Sequence, residues 1–168
     1  MTLEAKVIFL ENVRELEQLK YRYARCCDTG YDLDGFRTIF VPEGTWSANG
    51  YGEFHGHREI CEFFRELSRS VVNVLHYVTS PQITIAEDER SAKGTFYLHC
   101  LSQFRRKDDQ SLIDFVVIMG VYEDEFVKTE NGWRFKSIKV NVSHTSKLNT
   151  LMERAVKHKD GTTSGKSA

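Results

Sequence analysis

Phe115-Val116-Val117-Ile118-Met119-Gly120-Val121-Tyr122 decides how the rest of the chain is read. Alternate residues of a strand face opposite sides, and here both sides are apolar. A strand of this kind is covered on both faces. It lies in the third of four β segments, about Asn73 to Ala86, Ser91 to Arg106, Ser111 to Lys128 and Gly132 to His144. Glu87-Asp88-Glu89, Lys107-Asp108-Asp109-Gln110 and Glu130-Asn131-Gly132 separate them with turn chemistry. Consecutive strands with short breaks predict an antiparallel meander. Helices would cover one face, and a cavity, a second subunit or both would cover the other.

The helices come earlier in the chain. Thr2 to Asp28 carries Val13, Leu16, Leu19, Tyr23 and Cys26 or Cys27 at three- and four-residue steps, with charges between them. Thr29-Gly30 stops that helix. Asp32 or Asp34 then caps a short helix bearing Leu33, Phe36, Ile39 and Phe40, which Val41-Pro42-Glu43-Gly44 breaks. Thr45 to Ala48 and Glu53 to His55 flank Asn49-Gly50-Tyr51-Gly52, a hairpin signal. Gly56 to Ser70 predicts a third helix through the stripe Ile60, Phe63, Phe64 and Leu67. Lys147 to Lys157 reads as a last short helix, and Asp160 to Ala168 as a flexible tail.

Composition narrows the function classes. The 168 residues suit one domain with a sizeable core. Lys plus Arg is 23 and Asp plus Glu is 24, so the net charge of -1 gives no general reason to bind nucleic acid. Eleven Phe, seven Tyr and two Trp suit a core that also walls an apolar pocket. No apolar run approaches the length of a membrane span. Glu4 and Glu11 argue against a signal peptide. Cys26, Cys27, Cys61 and Cys100 have no C-x-x-C spacing and read as reduced and packed, which places the chain in the cytoplasm. No His and Cys cluster has metal-ligand spacing, and no phosphate loop or serine-nucleophile motif is present.

The order of elements predicts an α+β arrangement in which a strongly curved, mostly antiparallel sheet wraps about three N-terminal helices into a cone-shaped barrel. Several pieces carry a resemblance: Tyr23-Ala24-Arg25-Cys26-Cys27-Asp28, Phe40-Val41-Pro42-Glu43-Gly44-Thr45-Trp46, Phe54-His55-Gly56-His57-Arg58-Glu59-Ile60, His76-Tyr77-Val78-Thr79-Ser80-Pro81, Gly120-Val121-Tyr122-Glu123-Asp124-Glu125-Phe126 and Asn131-Gly132-Trp133-Arg134-Phe135. In that order and spacing, the chain resembles the nuclear-transport-factor-2-like cone fold. More narrowly it resembles the SnoaL-like group that holds scytalone dehydratase, bile acid dehydratase and hexachlorocyclohexane dehydrochlorinase. The resemblance covers about Glu11 to Thr145. Residues 1–146 are then one cone domain, and residues 147–168 a short helix and tail.

That resemblance implies a cofactor-independent lyase, a dehydratase or dehydrohalogenase acting on a hydrophobic cyclic molecule. Asp28 would orient His76, and His76 would take a proton from carbon. As isolated residues, Asp28 reads equally as a turn cap and His76 as a satisfied core histidine. Tyr23 matches a tyrosine of the bile acid dehydratase pattern and would donate a proton to the leaving group or a carbonyl oxygen. It also reads as a core tyrosine, about 140° around the helix from Asp28. Tyr122, His99, Trp46 and Asn141 are the candidate substrate-binding residues, with His144 a further one at the cavity mouth. His55 and His57 read as exposed, and Trp133 as packing.

The chain departs from the family at several places. Scytalone dehydratase has a tyrosine where Cys27 stands, and another near Ala48. Its later Ser and Asn fall near Gly120 and Tyr122, so scytalone itself is not the expected substrate. Lys128 does not clearly match the basic residue of the dehydrochlorinase. An isomerase or cyclase would use the same groups. The small subunits of ring-hydroxylating dioxygenases share the cone without the chemistry, as do simple ligand-binding modules. The large apolar sheet face predicts a homodimer or homotrimer.

Overall fold

The meander is present, in a computed structural model that describes residues 2–148. Helix α1 spans Leu3–Asp28, α2 Leu33–Ile39 and α3 Gly56–Ser70. The strands are β1 Phe40–Ala48, β2 Gly52–His55, β3 Val71–Ile85, β4 Ser91–Arg105, β5 Ile113–Thr129 and β6 Gly132–Lys147. They form one six-stranded sheet in the order β2-β1-β6-β5-β4-β3. Only the β1–β6 pairing is parallel. The sheet ends at β2 and β3, so the cone is open and is not a closed barrel.

Each helix starts where its capping chemistry allows. Thr2 accepts from the Ala5 N–H at the start of α1, and Asp32 from the Gly35 N–H at the start of α2. The buried stripe of α1 includes Leu16, Leu19, Tyr23 and Cys27, as its periodicity predicts. It also includes Asn12 and Lys20, two polar residues on the core face. Asn12 Oδ1 accepts from the Trp133 indole at 2.9 Å and from Lys128 Nζ at 2.7 Å. Trp133 is thus a packing residue with a satisfied N–H.

Two local features bend the sheet. The first strand begins at Phe40, five residues before the predicted start. Pro42 and Gly44 fall in a register shift between Phe40 and Thr45, so the proline interrupts no paired run. Between Met119 and Gly120 the β5–β6 register shifts by one residue. A Cβ at Gly120 would lie 2.4 Å from the Asn141 carbonyl oxygen, so the bulge requires glycine there.

The concave face carries Phe96, Leu98, Cys100, Tyr122, Phe126 and Phe135, packed on the helices. The convex face exposes Leu75, Tyr77, Tyr97, Leu101 and Met119. All four cysteines are free and buried. Among the described residues, no helix is long and apolar enough to cross a membrane. The expected last helix and tail lie outside the described residues, apart from Lys147, which closes β6, and Leu148.

Candidate functional site

Asp28 is the last residue of α1, and the chain turns sharply after it. Thr29 N–H bonds back to the Arg25 carbonyl at 3.0 Å, and Gly30 adopts a left-handed φ of 81°. Tyr31 follows with φ 62°, an unusual conformation for a residue with a side chain. This kink directs the Tyr31 ring onto Phe64, stacked at 5.4 Å between centroids.

Strand β3 is a sheet edge, so some of its N–H groups have no strand neighbour. Asp28 meets that need at His76. The His76 backbone N–H donates to Asp28 Oδ1 at 3.0 Å and to Oδ2 at 3.2 Å. The ring Nδ1 lies 2.7 Å from the same Oδ1. One carboxylate thereby fixes both the strand and the imidazole. With Nδ1 committed to Asp28, Nε2 is the ring nitrogen left for a ligand. The His76 side chain is 12% exposed and Asp28 22%.

Burial by itself lowers the pKa of His76. That is the largest single effect, but the hydrogen bonds and charges of Asp28 and Cys100 together outweigh it, and the ring is raised to about 9. The His76 ring is therefore an imidazolium at neutral pH.

His76 opens onto a narrow cavity with about 70 Å³ of free space that runs out to solvent. Its wall is largely aromatic and aliphatic, with Tyr31, Trp46, Phe63, Phe64, Leu98 and Ile118 among the lining residues. Tyr23 and Tyr122 also line it. Trp46 Nε1 donates to the Tyr23 hydroxyl oxygen at 2.7 Å, and that hydroxyl also hydrogen-bonds with Cys27 and Tyr122. Burial pushes both tyrosine pKa values well above the usual range, so both hydroxyls are kept protonated.

Behind Tyr122 lies an ion pair that the sequence did not suggest. Lys20 Nζ is 2.9 Å from Asp124 Oδ2, and both side chains are 0% exposed. The same ammonium lies 3.2 Å from the Tyr122 ring centroid and 4.8 Å from that of Tyr23. Burial pushes Lys20 down and Asp124 up, each toward its neutral form, while their mutual attraction opposes this.

The structure brings together Asp28, His76, Tyr23, Tyr122 and Trp46, but not the other candidates. His99 is a correction. It lies on the exposed face of β4, beside Tyr77, because only the even-numbered residues of that stretch point inward. Asn141 is a second correction. It lies between the cavity-lining Val140 and Val142, and its side chain hydrogen-bonds Glu123 on the outer face. His144 is exposed beyond the β6 bulge. His55 is exposed as expected, whereas His57 is half-buried with Nε2 3.1 Å from the Phe40 carbonyl. Lys128 is engaged with Asn12, far along the chain from His76.

Cys100 and Ser102 are the polar cavity residues that the sequence reading passed over. The signal was strand register. Cys100 pairs directly with His76 across β3 and β4, so an inward His76 requires an inward Cys100.

The family model described as the SnoaL-like domain matches residues 9–139. Among solved structures, a candidate aromatic ring hydroxylase of Novosphingobium aromaticivorans is 24% identical, with 83% of this chain and 96% of that one covered and a TM-score of 0.73. A hexachlorocyclohexane dehydrochlorinase of Novosphingobium barchaimii is 14% identical, with 85% and 94% covered and a TM-score of 0.75. A candidate scytalone dehydratase of N. aromaticivorans is 16% identical, with 82% and 87% covered and a TM-score of 0.71. The fold is also that of nuclear-transport-factor-2-like proteins. At these identities the structures share a fold with this chain, and their activities remain their own.

Proposed function

The chain belongs to the SnoaL-like domain family, and from that premise we propose that it is a cofactor-independent lyase acting on a hydrophobic cyclic small molecule. The observation that carries this reading is the 2.7 Å contact between His76 Nδ1 and Asp28 at the edge of an apolar cavity. Neutral His76 takes a proton through Nε2 from the carbon next to the one bearing a hydroxyl or halide. The C–H electron pair becomes the double bond, and the leaving group departs with its own bonding pair. Tyr23 or Tyr122 donates the proton that turns a leaving hydroxide into water. Acid–base assistance of this kind contributes roughly 10²–10⁴-fold, and the dry wall adds positioning.

A second reading is a non-catalytic subunit or binding module, as some cone proteins are. It would be favoured by a cavity filled with side chains or by Asp28 turned away from His76. The paired dyad favours the lyase.

The dyad fixes the expected pH dependence. The base form of His76 is the neutral ring, and its pKa is raised to about 9. Initial kcat/KM should therefore rise about tenfold per pH unit through neutrality and level off above that value. The assay is chloride release from polychlorinated cyclohexanes and enone formation from cyclic β-hydroxy ketones, followed from acid to alkaline pH. A flat or falling profile would remove His76 as the base. Tight binding of these compounds without turnover would leave the binding-module reading.

Assembly and location are part of the same proposal. The convex patch of Leu75, Tyr77, Tyr97, Leu101 and Met119 suits coverage by another copy of the chain. Sedimentation equilibrium should give a homodimer or homotrimer, and a monomer at micromolar concentration would count against it. The four free thiols fit a reducing cytoplasm.

A further inference from the structure

One corner of the cavity differs chemically from the rest. On β3 and β4, adjacent inward positions hold His76, Cys100 and Ser102, all lining the cavity. Cys100 is 2% exposed, and its Sγ lies 3.2 Å from Ser102 Oγ. His76 is the residue directly across the ladder from Cys100, and Asp28 holds the far side of its ring at 2.7 Å. The row Asp28, His76, Cys100, Ser102 therefore provides a carboxylate, an imidazole, a thiol and a hydroxyl in sequence. The proposed elimination uses only the first two.

A thiol becomes a nucleophile when a neighbouring imidazole takes its proton and nearby donors stabilise the thiolate. The other three cysteines lack that setting. Cys26, Cys27 and Cys61 lie on helices, where no strand ladder sets an imidazole opposite them, and burial pushes their thiols up. Cys27 also lines the cavity, so it is an internal comparison in the same space.

We propose that Cys100 is a nucleophilic thiol site that captures α,β-unsaturated carbonyl compounds entering the cavity, with His76 as its proton carrier. When the His76 ring is neutral, the Sγ–H proton passes to Nε2, leaving thiolate and imidazolium. A sulfur lone pair forms the C–S bond at the β-carbon. The C=C π pair moves toward the carbonyl as an enolate, and the imidazolium returns its proton to the α-carbon. The thiol has then added across the double bond, nothing is lost, and no oxidant or reductant takes part. The reverse step returns the enone, with His76 removing the α-proton and thiolate leaving. The ligand class follows from the site: the soft thiol needs an electrophilic carbon, the apolar wall suits a hydrocarbon ring, and the imidazolium supplies the α-proton.

The test is incubation of the full chain with cyclohex-2-enone, borohydride reduction to trap the adduct, then intact-mass and peptide mapping. One adduct is expected, on the peptide bearing Cys100, with Cys27 unmodified. Adduct formation should be at least about tenfold slower in His76→Gln and lost in Cys100→Ser. No adduct, an adduct appearing first on Cys27, or an undiminished rate in His76→Gln overturns the proposal. The mapping on the unsubstituted chain does not depend on a variant folding. Its readout is an added mass and involves no lyase turnover, so either reading can fail while the other stands.

Discussion

Replacing His76 with glutamine is expected to lower turnover of the proposed lyase substrate by roughly 10²–10⁴-fold, with ligand binding retained. Glutamine keeps a polar group of similar reach but cannot accept a proton from carbon. Its backbone N–H still donates to Asp28, so the β3 edge stays anchored. Asp28→Asn should also lose activity, by a different route. The asparagine has one acceptor oxygen where the carboxylate serves the strand N–H and the ring together. Without the carboxylate, burial dominates the ring and its pKa drops from about 9. The rising limb of the pH profile should therefore move to lower pH as its plateau falls. A structural role alone would lower the plateau and leave the limb in place. Full activity in His76→Gln, or an unmoved limb in Asp28→Asn, would sink the dyad.

The same pair sets a pH dependence of stability. The folded pKa of His76 is raised from 6.5 to about 9. Its contribution is fully present below the lower value and is lost as pH rises through the upper one, a change on the order of a few kcal/mol. Denaturant melts of His76→Gln should show a smaller stability loss across that window than the unsubstituted chain does.

The sequence carried the helices because those rest on local signals, and the dyad because Asp28 and His76 stand at matching family positions. The period of Ile60, Phe63, Phe64 and Leu67 set α3 at Gly56–Ser70, the bounds it has. Tyr23, Trp46 and Tyr122 came from matching family positions, and all three line the cavity. The strand faces were harder to read. In Phe96-Tyr97-Leu98-His99-Cys100-Leu101 both parities are apolar, so polarity could not show which face is inward. The stretch read alone therefore offers His99 for the cavity and Cys100 for packing. Pairing β3 with β4 resolves it, since an inward His76 carries Cys100 with it. Asn141 failed for the same reason, between two inward valines. Lys20 was hidden differently. On a helix, a charge between apolar steps reads as solvated, and only the packed core shows that Asp124 waits opposite it.

Lys20→Met is the substitution with the largest expected cost to stability, about 3–5 kcal/mol near neutral pH. Methionine fills a similar volume, so little packing is lost. The cost comes from Asp124. Apart from Lys20, neither of its carboxylate oxygens has a hydrogen-bond partner among the described residues, and Lys20 is its one counter-charge within 4.0 Å there. Without the ammonium, a fully buried carboxylate must stay charged in apolar surroundings or take up a proton. Burial already pushes the Asp124 pKa up, and removing the opposing lysine pushes it further. A folded-state pKa raised in this way favours the folded state at low pH and loses that advantage as pH rises. The deficit of Lys20→Met should therefore shrink in acid and be greatest at neutral pH and above. Lys20→Met combined with Asp124→Leu removes both charges and should recover most of the loss. Denaturant melts of the two variants at acid and neutral pH decide the matter. A single variant as stable as the unsubstituted chain at neutral pH would mean that Asp124 is already neutral in the folded protein. The ion pair behind Tyr122 would then not exist as a pair of charges. If the pair does hold, the double variant separates its two effects: stability returns, but Tyr122 loses the ammonium 3.2 Å from its ring centroid. Any fall in turnover that survives the rescue belongs to that lost cation.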